Sequence, residues 1–303
     1  MNWKNIKTFM LALLLCVNIF LCAMVANQTG EKVYNDDTLK SIKELLASSG
    51  IQADEKFFTS KTNDAKIFGC EIDKNYALHT ANKLMGTYTD IFTTTSGFSF
   101  FGENGEVLNI DKDFSISFNS GTDMSYGIQG SKLENNEKEQ LKKKLSDFLT
   151  VNPDDGFGID IIDAQKHGDI ITASLVQTIN NTAISNHTLK CTLVSDKLSQ
   201  LNGRWCFLAI NENFSAHLLD SVNILFIEKN EIDEIGEEDS SYVKKDRTVK
   251  NIEQCYISHL SGDRKVLYLM PSWHIEWKEN DIADTYYNAV NGEKTLFERN
   301  NVN

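Results

Sequence analysis

Two periods of apolar spacing recur along this chain, and they recur in blocks. Leu39, Ile42, Leu45 and Leu46 stand three or four residues apart, which predicts a helix with one apolar face. Asp36 or Asp37 supplies its cap and Gly50 its stop. A strand is predicted over 65–72. Asp73 then opens a second helix with Ala77, Leu78, Ala81, Leu84 and Met85 inward, ended by Gly86. Alternating or apolar runs follow at 88–93, 97–102, 106–110 and 114–119, with Glu103-Asn104-Gly105 as a hairpin turn.

A glycine- and serine-bearing stretch from Asn119 to Ser131 reads as a boundary, after which the pattern restarts. A helix over 135–149 presents Leu141, Leu145, Phe148 and Leu149 on one face. Strands are predicted near 157–163, 169–178, 187–195 and 200–210. A helix over 215–229 has Leu218, Leu219, Val222, Leu225 and Phe226 inward, and an acidic loop runs from Asn230 to Asp246. Strands near 252–259, 265–270, 273–277 and 284–290 end in a hairpin with Asn291-Gly292 at its turn. Hairpin-sized links dominate, which favours α+β lobes with helices on antiparallel sheets over a doubly wound parallel sheet.

The start of the chain follows neither pattern. From Phe9 to Ala26, 18 residues carry no charge and Asn18 is the one strongly polar side chain. As a helix this run is about 27 Å long, close to the hydrocarbon thickness of a bilayer. Lys4 and Lys7 precede it and no positive residue follows until Lys32, so the positive-inside rule places residues 1–8 in the cytoplasm and the bulk of the chain outside. A cleaved signal peptide shares this layout, but the apolar run is longer than the usual signal core. Ala23-Met24-Val25 and Val25-Ala26-Asn27 are loose cleavage sites. Leu15 and Leu21 stand where a lipoprotein signal carries a small residue before Cys16 or Cys22. The reading is therefore an uncleaved signal anchor over 9–26, a linker over 27–35, a first α+β lobe over 36–130 and a second over 131–303. Asn18 is either a polar contact for another membrane helix, worth about 0.6–2 kcal/mol, or a tolerated amide.

Composition narrows the partners. The 303 residues carry 30 Lys plus Arg against 43 Asp plus Glu, a formal charge of -13. That argues against nucleic acid, which needs a clustered positive surface. The basic run Lys142 to Lys144 lies among Glu137, Glu139 and Asp147 and reads as a solvated helix face. Two prolines exclude a Pro-rich stalk. Two of the six cysteines fall in the apolar leader, leaving Cys70, Cys191, Cys206 and Cys255 outside. An exported compartment permits disulfides. Cys191 and Cys206 are placed to face each other across a hairpin, with free buried thiols as the open alternative.

Motifs for chemistry are sparse. No two of His79, His167, His187, His217, His259 and His274 have metal-ligand spacing on a helix, and no Cys-x-x-Cys occurs. The nucleophile elbow, the phosphate-cradling glycine loop and the dinucleotide fingerprint are all missing. Asp154-Asp155 and Glu237 to Asp239 read as solvated charge and do not match a calcium loop. The expectation is no catalytic residue, no metal and no cofactor. The aromatic segments Asn202-Gly203-Arg204-Trp205, Pro271 to Trp277 and Tyr286 to Glu293 read first as core packing and turns. Their functional reading is an aromatic groove or open sheet edge that receives a peptide or domain.

Three segments together resemble the YycI/YycH group of membrane-anchored two-component-system regulatory proteins, and YycI more than YycH. MNWKNIKTFMLALLLCVNIFL is similar to that group's short cytoplasmic start and single helix. AISNHTLKCTLVSDKLSQLNGRW resembles its central strand pair, and VLYLMPSWHIEWKENDIADTYYNAVNGE its closing strand and hairpin. The resemblance implies a non-enzymatic regulator with one membrane helix and an extracytoplasmic α+β part. Its implied partners are the cell-wall-sensing sensor histidine kinase of low-GC Gram-positive bacteria and a YycH-like sister protein. It implies Asn18 as the polar contact in the membrane, with Leu13, Val17, Phe20, Leu21 and Met24 as the packing surface. It assigns Arg204, Trp205, Pro271, Trp273, Tyr287, Asn288 and Gly292 to structure. The closing hairpin also resembles PepSY-like modules, so an anchored binding or protease-inhibitor module in wall assembly is the alternative, and an anchored wall hydrolase a further one.

Overall fold

The computed structural model describes residues 34–58, 64–71, 74–121, 130–149, 156–206, 212–238, 243–262 and 266–295. The apolar leader lies outside the described residues, and with it Leu13, Val17, Asn18, Phe20, Leu21 and Met24. Among the described residues no helix is long and apolar enough to cross a membrane. The fold is α+β, with four α-helices among the described residues. It divides into two compact units.

The first unit comprises Met1–Asn63, Asp220–Lys250 and Trp277–Ile282. Its helix α1, Asp36–Ala47, starts where the Asn35 side chain accepts from the Thr38 N–H at 2.8 Å. Asn35 is thus the cap, one residue before the predicted one, with Asp36 and Asp37 complementing the first-turn dipole. Ile42 and Leu46 are buried and Leu45 is exposed. Gly50 takes φ +81 beyond the helix end, as a left-handed stop requires. The short strand β1, Ile51–Gln52, pairs in parallel with the start of β13, Arg247–Leu260.

The second helix of this unit, Ser221–Glu238, departs from the predicted 215–229. Asp220 accepts from the Asn223 N–H at 2.8 Å and starts it. The preceding Glu212–His217 is strand β12. The predicted acidic loop is helical as far as Glu238, because Ile232 extends the buried face and Lys229 pairs with Asp233 one turn on.

The second unit comprises Asp64–Leu219, Asn251–Glu276 and Ala283–Asn303. Two of the predicted helix-then-strands blocks are present in it. Strand β2, Asp64–Glu71, leads to α2, Lys74–Met85, and to the meander β3 (Asp90–Thr93), β4 (Gly97–Phe101), β5 (Val107–Asp111) and β6 (Ser115–Asn119). Strand β7, Ser131–Lys132, leads to α3, Asn135–Leu149, and to β8 (Phe157–His167), β9 (Ile170–Ile179), β10 (Thr182–Val194) and β11 (Lys197–Arg204). The blocks share one antiparallel sheet in the order β7-β8-β9-β10-β11-β6-β5-β4-β3, joined where Leu201 registers with Phe118. The predicted boundary at 130/131 therefore falls inside this unit. Tyr76, Ala77 and Ala81 of α2 and Leu141, Leu145 and Leu149 of α3 enter the core. Lys144 pairs with Asp196 at 2.6 Å and Lys142 with Asp160, so two cations of the basic run meet strand-side carboxylates.

A second set of strands runs β12-β2-β14-β13, with β14 spanning Val266–Trp277 and β15, Thr285–Asn288, on β14. The two predicted strands 265–270 and 273–277 are this single strand β14. Pro271 is tolerated because β14 changes partner there, from β2 at Leu269 to β15 at Ser272. Its carbonyl accepts from the Ala289 N–H at 2.9 Å, so the missing N–H faces the gap between the two partners.

Candidate functional site

Two places in the second unit hold the residues singled out in the sequence, and a third is an open sheet margin. The first is the corner after β11. Gly203 has φ +145, and a Cβ there would lie 2.0 Å from the Thr188 carbonyl oxygen, so only glycine lets β11 approach β10 so closely. Arg204 donates to Asp113 at 3.1 Å. Burial pushes the Asp113 carboxyl up, but hydrogen bonds from Ser115 and the Arg204 charge outweigh it and leave it below the ordinary range. Trp205 is fully buried. Its backbone N–H donates to the Phe114 carbonyl at 3.0 Å, and its backbone carbonyl accepts from the Tyr76 hydroxyl at 2.9 Å.

Beneath this corner lies a buried polar cluster. Gln177 donates through Nε2 to the Cys206 carbonyl at 2.6 Å and accepts through Oε1 from the Cys206 N–H at 3.0 Å. His187 Nδ1 is 2.9 Å from the same Oε1. That oxygen can only accept, so the network assigns the ring proton to Nδ1. His187 Nε2 then carries a lone pair with no partner among the described residues. Burial, and then the Arg204 charge, hold the His187 pKa down to about 3. The Cys206 thiol lies 3.9 Å from Nδ1 and is held well above its ordinary pKa by burial and by Cys70. Chemically this is a neutral imidazole beside a protonated thiol. The ring points inward because β10 loses register with β9 between Ala183 and Thr188; there Ile184 pairs with Tyr256 and Asn186 bonds both the N–H and carbonyl of Ser258.

The second place is the closing hairpin. Trp273 Nε1 donates to the Leu219 carbonyl at 2.8 Å, and Tyr287 is fully buried with Lys294 Nζ 5.4 Å from its ring centre. Asn288 holds the turn: its side chain accepts from the Val290 N–H and its carbonyl from the Gly292 N–H, both at 2.8 Å. Gly292 has φ +76, a left-handed position that favours glycine. Beside the turn is a cavity of about 400 Å³, lined by His259, Tyr268 and Met270 from the sheet and by Asn288, Glu293, Lys294 and Thr295 from the hairpin. Half-burial pushes the His259 pKa down. Farther along the hairpin, His274 is stacked 4.4 Å from Tyr286, with Glu253 at 3.4 Å from Nδ1 and Asp284 at 3.2 Å from Nε2.

The third place is the sheet margin. β3 ends the strand order, and its Ile91 and Phe92 are exposed, with the Phe92 ring 5.6 Å from that of Phe101. Among the described residues no three His, Cys, Asp or Glu side chains converge in a metal-holding group. The pairing of Cys191 with Cys206 does not occur: Cys191 registers opposite Leu201, and all four described cysteines are free. The role of Gln177 was missed in sequence. Its only signal is a large amide within the otherwise apolar run Leu175 to Ile179, interrupted also by Thr178.

Neither a family model nor a curated protein matches this chain. Among solved structures, an uncharacterized protein from Eubacterium rectale is similar at 11% identity and a TM-score of 0.47, covering 86% of this chain and 99% of that one.

Proposed function

We propose that this chain is a non-enzymatic regulator of the YycI type, anchored in the cell membrane by residues 9–26. Residues 1–8 lie in the cytoplasm, and the α+β bulk of the chain lies outside. It modulates a cell-wall-sensing sensor histidine kinase of a Gram-positive bacterium and associates with a YycH-like sister protein. One observation carries the reading. A charge-free run behind Lys4 and Lys7 occurs in the same chain as a Gly-Arg-Trp corner and a Pro-x-Trp strand with its Tyr-Tyr-Asn hairpin.

The mechanism is a population shift. A kinase with two states responds to a helix that packs differently against each, by the difference in affinity. In hydrocarbon that difference comes from van der Waals fit over Leu13, Val17, Phe20, Leu21 and Met24 and from a polar contact at Asn18. A contact of about 0.6–2 kcal/mol corresponds to roughly a 3- to 30-fold change in association. Replacing Asn18 by Leu in the full chain is expected to weaken co-purification with the kinase and to shift its reporter output. If both stay unchanged, the helix does not make this contact.

The cavity beside the closing hairpin favours a second reading, an anchored PepSY-like binding module. Exchanging residues 1–30 for an unrelated anchor separates the two. The regulator loses its effect on the kinase, whereas the binding module keeps its activity.

A further inference from the structure

The long antiparallel sheet of the second unit has two faces of opposite character. Strand alternation turns Phe100, Leu108, Phe118 and Leu201 into the core, with the buried residues of α2 and α3. The residues between them stand on the other face and register in two rows across β4, β5, β6 and β11. One row is Ser99, Asn109, Ser117 and Asn202, and the next is Phe101, Val107, Asn119 and Gln200. None of these positions is charged, in a chain of net charge -13, whereas a solvated surface ordinarily holds about a quarter to a third charged residues. Charge returns at the margins of the two rows, in Asp90 on β3, Asp111 on β5, Lys190 on β10 and Arg204 on β11. Asparagine is a poor strand former, so three of them on β5, β6 and β11 run against the sheet's own preference. The Asn109 side-chain oxygen accepts from the Ser99 hydroxyl at 2.7 Å and that of Asn119 from the Gly121 N–H at 2.9 Å, which leaves their amide nitrogens as donors. Gln200 is 8% exposed, and its Oε1 has no hydrogen-bond partner among the described residues. A buried acceptor of that kind is costly until a donor meets it. At the β3 end Phe92, 57% exposed, lies edge-on to Phe101 at 5.6 Å between ring centres. With strands about 4.8 Å apart, the surface from β3 to β11 is roughly 19 Å across.

We propose that this face binds an uncharged glycan, a chain of linked pyranose rings lying across the strands. Sugar hydroxyls both donate and accept, so they match amides and serines without calling for a charge. The Gln200 oxygen is then met by a hydroxyl, and the apolar C–H face of one ring packs on Phe92. A polyanion such as nucleic acid would need clustered cations, which the two rows lack. A docking helix would need an apolar groove, and the rows are polar apart from Phe101 and Val107. An equatorially linked chain is a flat ribbon, the shape that suits a sheet surface. Binding by this face requires no membrane helix, so its failure and that of the kinase regulator are separate events.

The test uses the full chain in a polyoxyethylene detergent, because a detergent with a sugar headgroup would compete. The probes are the β-1,4-linked pentamers of glucose and of N-acetylglucosamine, titrated to millimolar concentration in a calorimeter. Saturable binding of one or both is expected. Phe92→Ala and Asn202→Ala, both at exposed positions, are each expected to weaken it roughly 2- to 12-fold with the thermal melt unchanged. Phe214→Ala, on the exposed surface of β12 in the other strand set, is expected to leave it unchanged. Raising the salt concentration is also expected to leave it unchanged, since no ion pair forms. Absence of binding by both pentamers overturns the proposal. So does binding that Phe92→Ala and Asn202→Ala leave intact, or that Phe214→Ala weakens as much as they do.

Discussion

Two arginines of this chain make ion pairs of similar length in opposite surroundings. Arg247, in the first unit, donates to Glu228 at 2.8 Å with side-chain exposures of 11% and 2%. Arg204, in the second, donates to Asp113 at 3.1 Å with exposures of 34% and 44%. Arg204 stands in a motif that draws the eye in sequence, and Arg247 stands at the end of an acidic stretch and draws none. The energetic order is the reverse. A charge removed from a buried pair leaves its partner unsolvated, whereas a half-exposed carboxylate regains water when its partner goes.

The largest effect tests that order directly. Glu228→Ala is expected to lower stability by about 3–5 kcal/mol, read as a fall in the denaturant midpoint at unchanged slope. The double change Glu228→Met with Arg247→Leu is expected to recover much of the loss, because neither charge is then stranded. A double variant as weak as the single one would place the cost in packing instead.

The next effect sharpens the second unit's side of the comparison. His187 is buried and neutral, its folded pKa near 3 against an ordinary value near 6.5. A depressed folded pKa contributes stability that is complete above about pH 6.5 and is lost as pH falls toward 3, because the unfolded chain takes up the proton first. The expected slope is about 1.4 kcal/mol per pH unit between pH 6 and 4. Denaturation at a series of pH values measures it, and His187→Gln is expected to flatten that part of the curve. Arg204→Met removes the second cause of the depression and is expected to flatten it slightly.

At neutral pH the smallest change is the loss of the Arg204 pair itself. Arg204→Met is expected to cost about 0–1 kcal/mol in the same denaturation measurement. A loss as large as that of Glu228→Ala would mean that the corner depends on the guanidinium for more than this pair. Burial pushes the Cys191 and Cys255 thiols up to about 12. Native alkylation of both is therefore expected to track unfolding, and faster labelling would reveal local opening.

The helix over 135–149, the four strands after α2 and the closing turn at Gly292 came from local signals, namely apolar period, capping chemistry and positive-φ glycines. The helix from Ser221 was misplaced because His217-Leu218-Leu219 looks helical in spacing, while Asp220, its actual cap, carries no stronger mark than its neighbours. Nothing around Arg247 announces its parallel pairing with Ile51, because the partner lies on a remote segment of the chain. Gln177 and His187 likewise acquire their roles from a break in strand register and from the return of Cys206.

Helix and strand existence, the α+β class and the glycine-dependent turns were encoded locally, since each rests on the conformational preferences of a few adjacent residues. Which strands share a sheet and which charges are stranded in the core were settled by folding. Each of those depends on burial and on partners brought from distant parts of the chain, and neither quantity exists until the segments have packed.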